Sequence, residues 1–280
     1  MTRVPPFHTL PDTCEFYFVR HGESESNKDG KIQGHTDSPL SALGREHAEA
    51  AGRWFADKGI DTVLTSPLSR ARQTATAISR ATGAPEPHSL NELIELDTGI
   101  YSDVPIRELA SVDDELFRRF RVHSWEVVPE AERISSLLHR ARAVWDELIR
   151  RAQEGSRRLV CVSHGGMIQW LIKATVGAEE QRWMPLFDTS NCGIFLFRAE
   201  STLPGHHHHS DGTLSDSNAM AADDEATSGV GGAFGAGTPR SDRRPAAGPP
   251  ATGGPPAGDE PPAPGTGYYG VWAIMNLVPY

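Results

Sequence analysis

Two short stretches of this sequence share one design. Phe18-Val-Arg20-His21-Gly22 and Cys161-Val-Ser163-His164-Gly165-Gly166 both run from apolar residues through one polar residue to a histidine and then glycine. Ligands in open α/β sheets bind just beyond the carboxyl ends of strands. A single histidine at such a junction is ordinarily structural. Two in the same setting, one preceded by arginine, point to imidazoles facing each other across one crevice.

The flanking residues show what must hold them. Glu15-Phe-Tyr-Phe-Val19 is short, aromatic and apolar, the pattern of a buried strand. From Ser41, a fitting N-cap, the residues Leu43, Ala50, Ala51, Trp54 and Phe55 recur at helical spacing until Gly59. Thr62–Thr65 reads as a strand and Leu68–Thr82 as a helix ended by Gly83, with Ala71, Ala75 and Ile78 on one face. A strand near His88–Leu93 precedes an irregular stretch to about Pro129. Ile134, Leu137, Leu138, Ala141, Val144, Trp145, Leu148 and Ile149 mark an amphipathic helix. Arg158–Val162 is the next strand, Gly165–Val176 a helix and Cys192–Phe197 a strand. The alternation predicts an α/β fold: a three-layer sandwich with a mostly parallel central sheet and helices on both faces.

Composition separates one segment from the rest. Of the 48 glycines and prolines in the 280 residues, 23 fall between positions 200 and 267, a stretch that also carries a net charge of −6 out of the total −10. It lacks apolar periodicity, so it cannot bury enough surface to offset the ~1–2 kcal/mol per residue that backbone ordering costs. The expected organisation is one domain, 1–199 plus 268–280, interrupted by a disordered Gly/Pro-rich loop over 200–267. Tyr269-Gly-Val-Trp-Ala-Ile-Met-Asn-Leu277 regains strand character and is expected to return as the second strand of a hairpin. A nearly balanced remainder excludes the basic excess of a nucleic-acid partner. No apolar run reaches the ~20 residues that span a bilayer. Cys14, Cys161 and Cys192 are far apart and form no CxxC pair, which suits a reducing cytoplasm.

Arg20-His21-Gly22-Glu23-Ser24, followed by Asn27, resembles the signature of the histidine phosphatase superfamily, the phosphoglycerate mutase-like proteins. Gln33–Ser41 with Leu43-Gly44, Thr65-Ser-Pro-Leu-Ser-Arg70-Ala-Arg-Gln-Thr-Ala75, Leu93-Ile-Glu95-Leu-Asp-Thr-Gly99 and Ser163–Gly166 resemble further motifs of that family, in the family's order. Val271–Asn276 is similar to its last strand. The resemblance spans about 14–198 and 269–277 and is nearer to the phosphatase branch.

It implies a phosphomonoester hydrolase acting on a small phosphorylated metabolite. His21 would attack phosphorus and form a phosphohistidine. Arg20, Arg70, Asn27 and the ring N–H of His164 would bind the phosphate, with Gln33 near the site's mouth. Bidentate guanidinium contacts suit a phosphate dianion in charge and geometry. Glu95 would donate the proton to the leaving alcohol, in competition with Glu92 and Asp97 for that role. Arginines and histidines supply the neutralising charge, so neither a metal nor a cofactor is required. Arg72, His35, His47 and His139 read as surface or packing residues and Glu23 as a helix cap. The His206–His209 tract reads as incidental, and the Pro-Pro steps of its segment as a solubilising loop.

Two departures touch the substrate mouth: Ile100-Tyr-Ser-Asp103 stands where many relatives have Trp-Glu-Gly, and Pro129-Glu-Ala-Glu132 where many phosphatases have Gly-Glu-Ser. A glycerate-type phosphomutase is the alternative enzyme, disfavoured because Glu95 is followed by Leu-Asp-Thr-Gly rather than an Arg-His-Tyr-Gly-like run. A binding protein that kept the fold is the alternative outside catalysis, and a homodimer is compatible with the sequence.

Overall fold

Alternation along the first strand decides the layering. In β1 (Cys14–Arg20) Phe16 and Phe18 point to one side and Tyr17 and Val19 to the other, and all four are buried. A strand apolar on both faces must lie in the middle of a sheet covered on both sides. The structure, a computed structural model, describes residues 4–177, 188–200 and 269–280. Its six strands run in the order β3-β2-β4-β1-β5-β6.

After β1, a single turn α1 (Glu25–Lys28) and helix α2 (Ala42–Phe55) lead to β2 (Thr62–Thr65), followed by α3 (Ser69–Thr82) and β3 (His88–Ser89). The segment expected to be irregular holds the short α4 (Leu109–Val112) and α5 (Asp114–His123). The long α6 (Ile134–Gln153), β4 (Arg158–Ser163) and α7 (Gly165–Thr175) complete the alternating part, and β5 (Ile194–Glu200) pairs with β6 (Tyr269–Leu277). Strands β1 to β4 are mutually parallel, while β5 is antiparallel to both neighbours. The mostly parallel three-layer α/β architecture is therefore present.

One face of the sheet packs α6 and α7 around Trp145, whose ring meets Phe7, Phe16, Phe18 and Phe197 edge-on. The other face packs α2 and α3 through small residues, with Ala51, Ala71 and Ala75 against Val19, Val63 and Val162. The hairpin that returns after position 268 is also present. Trp272 of β6 lies against Phe18 and Phe197 and donates to Thr175 Oγ1 at 3.0 Å. Positions 200–267, apart from Glu200, and the His206–His209 tract lie outside the described residues.

Three local expectations need correction. The third strand stops at Ser89 because Leu90–Leu93 bends into a 3₁₀ turn that buries Leu93. Helix α2 ends at Phe55, four residues before Gly59, which adopts φ +60 in the turn to β2. Between Thr98 and Ala131 a small apolar cluster of Tyr101, Leu109, Leu116 and Val128 orders the stretch expected to be irregular.

Gly44 in α2 shows how tightly the first junction is packed. A Cβ there would sit 1.9 Å from the Glu23 carbonyl oxygen. Alanine is worth ~1 kcal/mol more than glycine inside a helix, but a backbone atom at that distance cannot yield cheaply. Gly44→Ala is therefore expected to lower the urea midpoint despite its better propensity. A raised midpoint would show that the Gly22–Glu23 turn is free to shift.

Candidate active site

Register brings the two junctions together. β1 and β4 pair in parallel with Arg20 opposite Ser163, so the next residues, His21 and His164, leave the sheet side by side. The His21 N–H bonds the Ser163 carbonyl at 3.0 Å, and the two ring centroids are 5.0 Å apart. β2 pairs with β4 so that Thr65 faces Val162, which sets Ser66 beside His164.

His21 is 2% exposed, and its Nδ1 lies 2.6 Å from the Gly22 carbonyl oxygen. A carbonyl only accepts, so Nδ1 carries the proton and Nε2 keeps its lone pair. Burial, then the charges of Arg20 and Arg70, hold the ring's pKa well below 6.5. The neutral imidazole is the nucleophilic form.

Arg70 is buried at the start of α3. It donates from Nη1 to the Thr36 carbonyl at 2.7 Å, from Nη2 to the Gly34 carbonyl at 3.0 Å, and from Nε to His21 Nε2 at 3.3 Å. Two of its five N–H groups are left over among the described residues. Burial pushes its pKa down to about 10 against the opposing pull of Glu95 and Asp37. Arg20 donates from Nη1 to the Thr189 carbonyl, and its Nε is buried with no partner among the described residues. His164 is fully buried, accepts or donates at Nε2 with Ser66 Oγ at 2.7 Å, and has no partner at Nδ1 among the described residues. Burial, then His21 and the neighbouring arginines, keep it neutral as well.

Buried polar atoms are almost always hydrogen-bonded, and a native exception calls for an explanation. Among the described residues there are five such atoms: His47 Nδ1, Tyr101 OH and Arg142 Nε lie outside the two His junctions, and Arg20 Nε and His164 Nδ1 lie in them. The last two fit an anion bound at His21.

Glu95 occupies the N-terminus of α7. Its Oε1 accepts from the N–H groups of Leu96 at 2.9 Å and Met167 at 3.1 Å, and Oε2 from Gly166 at 3.3 Å, where the helix dipole favours negative charge. Its charge is felt by both Arg20 and Arg70. Of its competitors, Asp97 caps Gly99 at 2.9 Å, and Glu92 contributes only its backbone carbonyl, to Arg140. Arg140 of α6 holds this segment: it donates to the carbonyls of Glu92, Ile94 and Glu95 and to both carboxylate oxygens of Glu132. His35 adds a ring contact of 2.9 Å to the Glu95 carbonyl.

The remaining residues expected at the site serve its loops in this structure. Asn27 closes a capping box with Ser24, and its Oδ1 also accepts from Asn191. Gln33, expected near the mouth, is 8% exposed and accepts from Ser24 Oγ at 2.8 Å. Glu23, expected as a helix cap, caps neither neighbouring helix: Ser24 caps α1 and Ser41 caps α2, and the Glu23 carboxylate accepts from Ser41 Oγ at 2.6 Å. Arg72 and His139 are exposed, and His47 stacks on Tyr280 with centroids 3.5 Å apart.

Four contributors escaped the sequence reading. Ser66 holds His164, Thr189 holds Arg20, Asn191 donates to the His21 carbonyl at 3.1 Å, and Arg140 clamps the Glu95 segment. Only Ser66 lay inside a quoted motif. Asn276, at the end of β6, fixes the 188–191 segment by accepting the Ser190 N–H at 2.8 Å. Among the described residues no group of three His, Cys, Asp or Glu is placed to hold a metal ion, and no helix is long and apolar enough to cross a membrane.

The family model of the histidine phosphatase superfamily, branch 1, matches residues 16–209. The chain belongs to the histidine phosphatase superfamily. Among its superfamily relatives, the probable phosphoglycerate mutase GpmB of Citrobacter koseri is 32% identical over 217 residues, which is 75% of this chain and 98% of that one. The GpmB of Yersinia enterocolitica is 33% identical over 168 residues, 58% of this chain and 75% of its own. Among solved superfamily structures, the alpha-ribazole phosphatase of Shigella flexneri aligns with a TM-score of 0.57 at 26% identity, covering 65% of this chain and 89% of that one. The mycobacterial glucosyl-3-phosphoglycerate phosphatase aligns with a TM-score of 0.58, covering 67% and 91%. At 23% identity that second likeness speaks to the fold alone.

The two neutral histidines make stability depend on pH. Below 6.5 the unfolded chain protonates them while the native site does not, so the unfolded state binds more protons and stability falls with pH. Each can contribute up to ~1.4 kcal/mol per pH unit in that range. In phosphate-free buffer the urea midpoint is expected to fall as the pH is lowered from 6.5 to 5.5, less steeply in His164→Gln. Equal stability across that interval would mean that the rings are protonated in the native site.

Proposed function

We propose that this protein is a phosphomonoester hydrolase that acts on a small phosphorylated metabolite through a phosphohistidine at His21. One observation carries the reading. A neutral, tautomer-fixed imidazole lies beside buried nitrogens of Arg20 and His164 that have no partner among the described residues, an arrangement that suits an anion.

The chemistry balances with the side chains present. His21 Nε2 donates its lone pair to phosphorus, and the bond from phosphorus to the alcohol oxygen breaks. Glu95 is the acid that passes a proton to the departing oxygen. A water then attacks phosphorus and loses a proton to Glu95, the P–N bond breaks, and inorganic phosphate leaves. Through both steps the proton stays on Nδ1, which donates it in a hydrogen bond to the Gly22 carbonyl. Arg20, Arg70 and His164 stabilise charge on the non-bridging oxygens, and Asn27 adds a further amide donor. Preorganised donors of this kind are ordinarily the largest contribution to such a reaction. Asn27 and Gln33 also act by holding the loop that bears Ser24.

On this reading the 97–130 segment forms a cap over the site; its Arg119 and Arg121 are exposed, whereas Arg118 pairs with Asp114 and Glu115. A substrate with a second acidic group fits that surface. The names of the GpmB relatives favour a second reading, a glycerate-type phosphomutase using the same phosphoenzyme.

One set of assays separates the two. Rapid quench with a labelled phosphomonoester is expected to trap an acid-labile phosphoenzyme in the natural chain and none in His21→Ala, which keeps a cooperative unfolding transition. Phosphate release should accompany turnover of a panel of phosphorylated metabolites. Isomerisation of 3-phosphoglycerate with bisphosphoglycerate, without release of phosphate, would establish the mutase instead. Full activity in His21→Ala would remove the mechanism altogether.

A further inference from the structure

The structure leaves one question about His164 that its neutral state makes chemical: which ring nitrogen bears the single proton. Only a protonated nitrogen can donate to a phosphoryl oxygen. Three observations decide it. His164 Nε2 is 2.7 Å from Ser66 Oγ. Ser66 is wholly buried, and its hydroxyl oxygen already accepts from the Leu68 N–H at 3.3 Å. The other hydrogen bonds of Ser66 use its backbone: its carbonyl accepts from Thr65 Oγ1, and its N–H donates to the Val162 carbonyl.

If Nε2 carried the proton, the Ser66 hydroxyl would accept twice, and its own hydrogen would be buried without an acceptor among the described residues. An unsatisfied buried donor costs about 1–3 kcal/mol. With the hydrogen pointing at Nε2, the hydroxyl and both ring nitrogens have consistent roles. We propose that Ser66 is a positioning residue that fixes His164 as the Nδ1–H tautomer, which makes Nδ1 a donor to the phosphoryl group held at His21. The phosphoryl half of this statement rests on the hydrolase reading, whereas the tautomer does not.

The site's architecture supports the assignment independently of protonation. Ser66 follows β2 directly and is held by the β2–β4 register, so its oxygen is fixed by backbone rather than by a mobile loop. His164 Nδ1 is the ring atom without a partner among the described residues, on an imidazole 5.0 Å from His21.

The test is nitrogen-15 NMR of the full chain labelled at histidine, with His164 assigned by its absence in His164→Gln. The expected spectrum has His164 neutral with Nδ1 protonated. In Ser66→Ala the Nε2-protonated form should appear while the His21 signals stay in place, and kcat should fall on the order of 10²-fold, the cost of losing one preorganised donor, with a smaller change in KM. Ser66→Thr keeps the hydroxyl and should keep both the tautomer and most of kcat. A natural chain with Nε2 protonated overturns the proposal, as does a Ser66→Ala chain that retains both the Nδ1–H form and kcat. If Ser66→Ala does not fold, the spectra of the natural chain and Ser66→Thr still decide. Should no phosphomonoester be turned over, the tautomer is still read from the spectrum, so failure of the hydrolase reading shows separately.

Discussion

The site rests on setting one buried guanidinium, Arg70, beside one half-buried guanidinium, Arg20, without giving either a carboxylate partner at contact distance among the described residues. Taking an ion out of water costs several kcal/mol unless its hydrogens are satisfied. Here backbone carbonyls of Gly34, Thr36 and Thr189 satisfy part of them. The nearest carboxylate influence on both comes from Glu95, which is itself held by the N-terminus of α7. Positive charge is thus concentrated and only partly compensated. Two consequences follow from that single fact. Histidines packed against it stay neutral, and a bound dianion would offset the cost of desolvation.

The rest of the fold can be read as the apparatus that keeps those groups in place. The β1–β4 register sets the spacing between the two imidazoles, and the β2–β4 register sets Ser66 against one of them. The hydrogen bond from His21 to its neighbour's carbonyl is made within the turn itself, so the nucleophile's tautomer depends on no distant element. Glycine is needed where that turn meets α2, because Gly22 and Gly44 pack backbone to backbone.

Two long-range connections complete the site. Arg140 ties α6 to the segment bearing Glu95, and its pairing with Glu132 puts the residues before α6 under the same constraint. Burial alone would raise the Glu132 carboxyl, but the hydrogen bonds from Arg140 and Ser136 prevail and hold it below its ordinary range. At the opposite edge, Asn276 of β6 holds the segment that supplies Thr189 and Asn191. A strand separated from β5 by a long excursion in sequence therefore helps to hold both Arg20 and His21.

Residue type and local pattern carried much of this in the sequence. Buried strands declare themselves by apolar runs, the helices of α2, α3 and α6 by their period, and the His-Gly junctions by repetition. The ordered motifs identified the family and the candidate nucleophile, arginines and acid. Short elements shaped by packing were not legible: the strand that ends at Ser89, and the apolar cluster that forms around Tyr101 in a stretch expected to be irregular. Support from distant residues was equally hidden. Arg140 looks like any cation on an amphipathic helix until α6 is set against the Glu92–Glu95 segment, and nothing local marks Asn191. The sequence by itself determined which chemical groups are available and on which elements they ride. Tertiary structure alone decided which hydrogens of Arg20, Arg70 and His164 remain for a ligand, because that depends on carbonyls and hydroxyls brought from other strands.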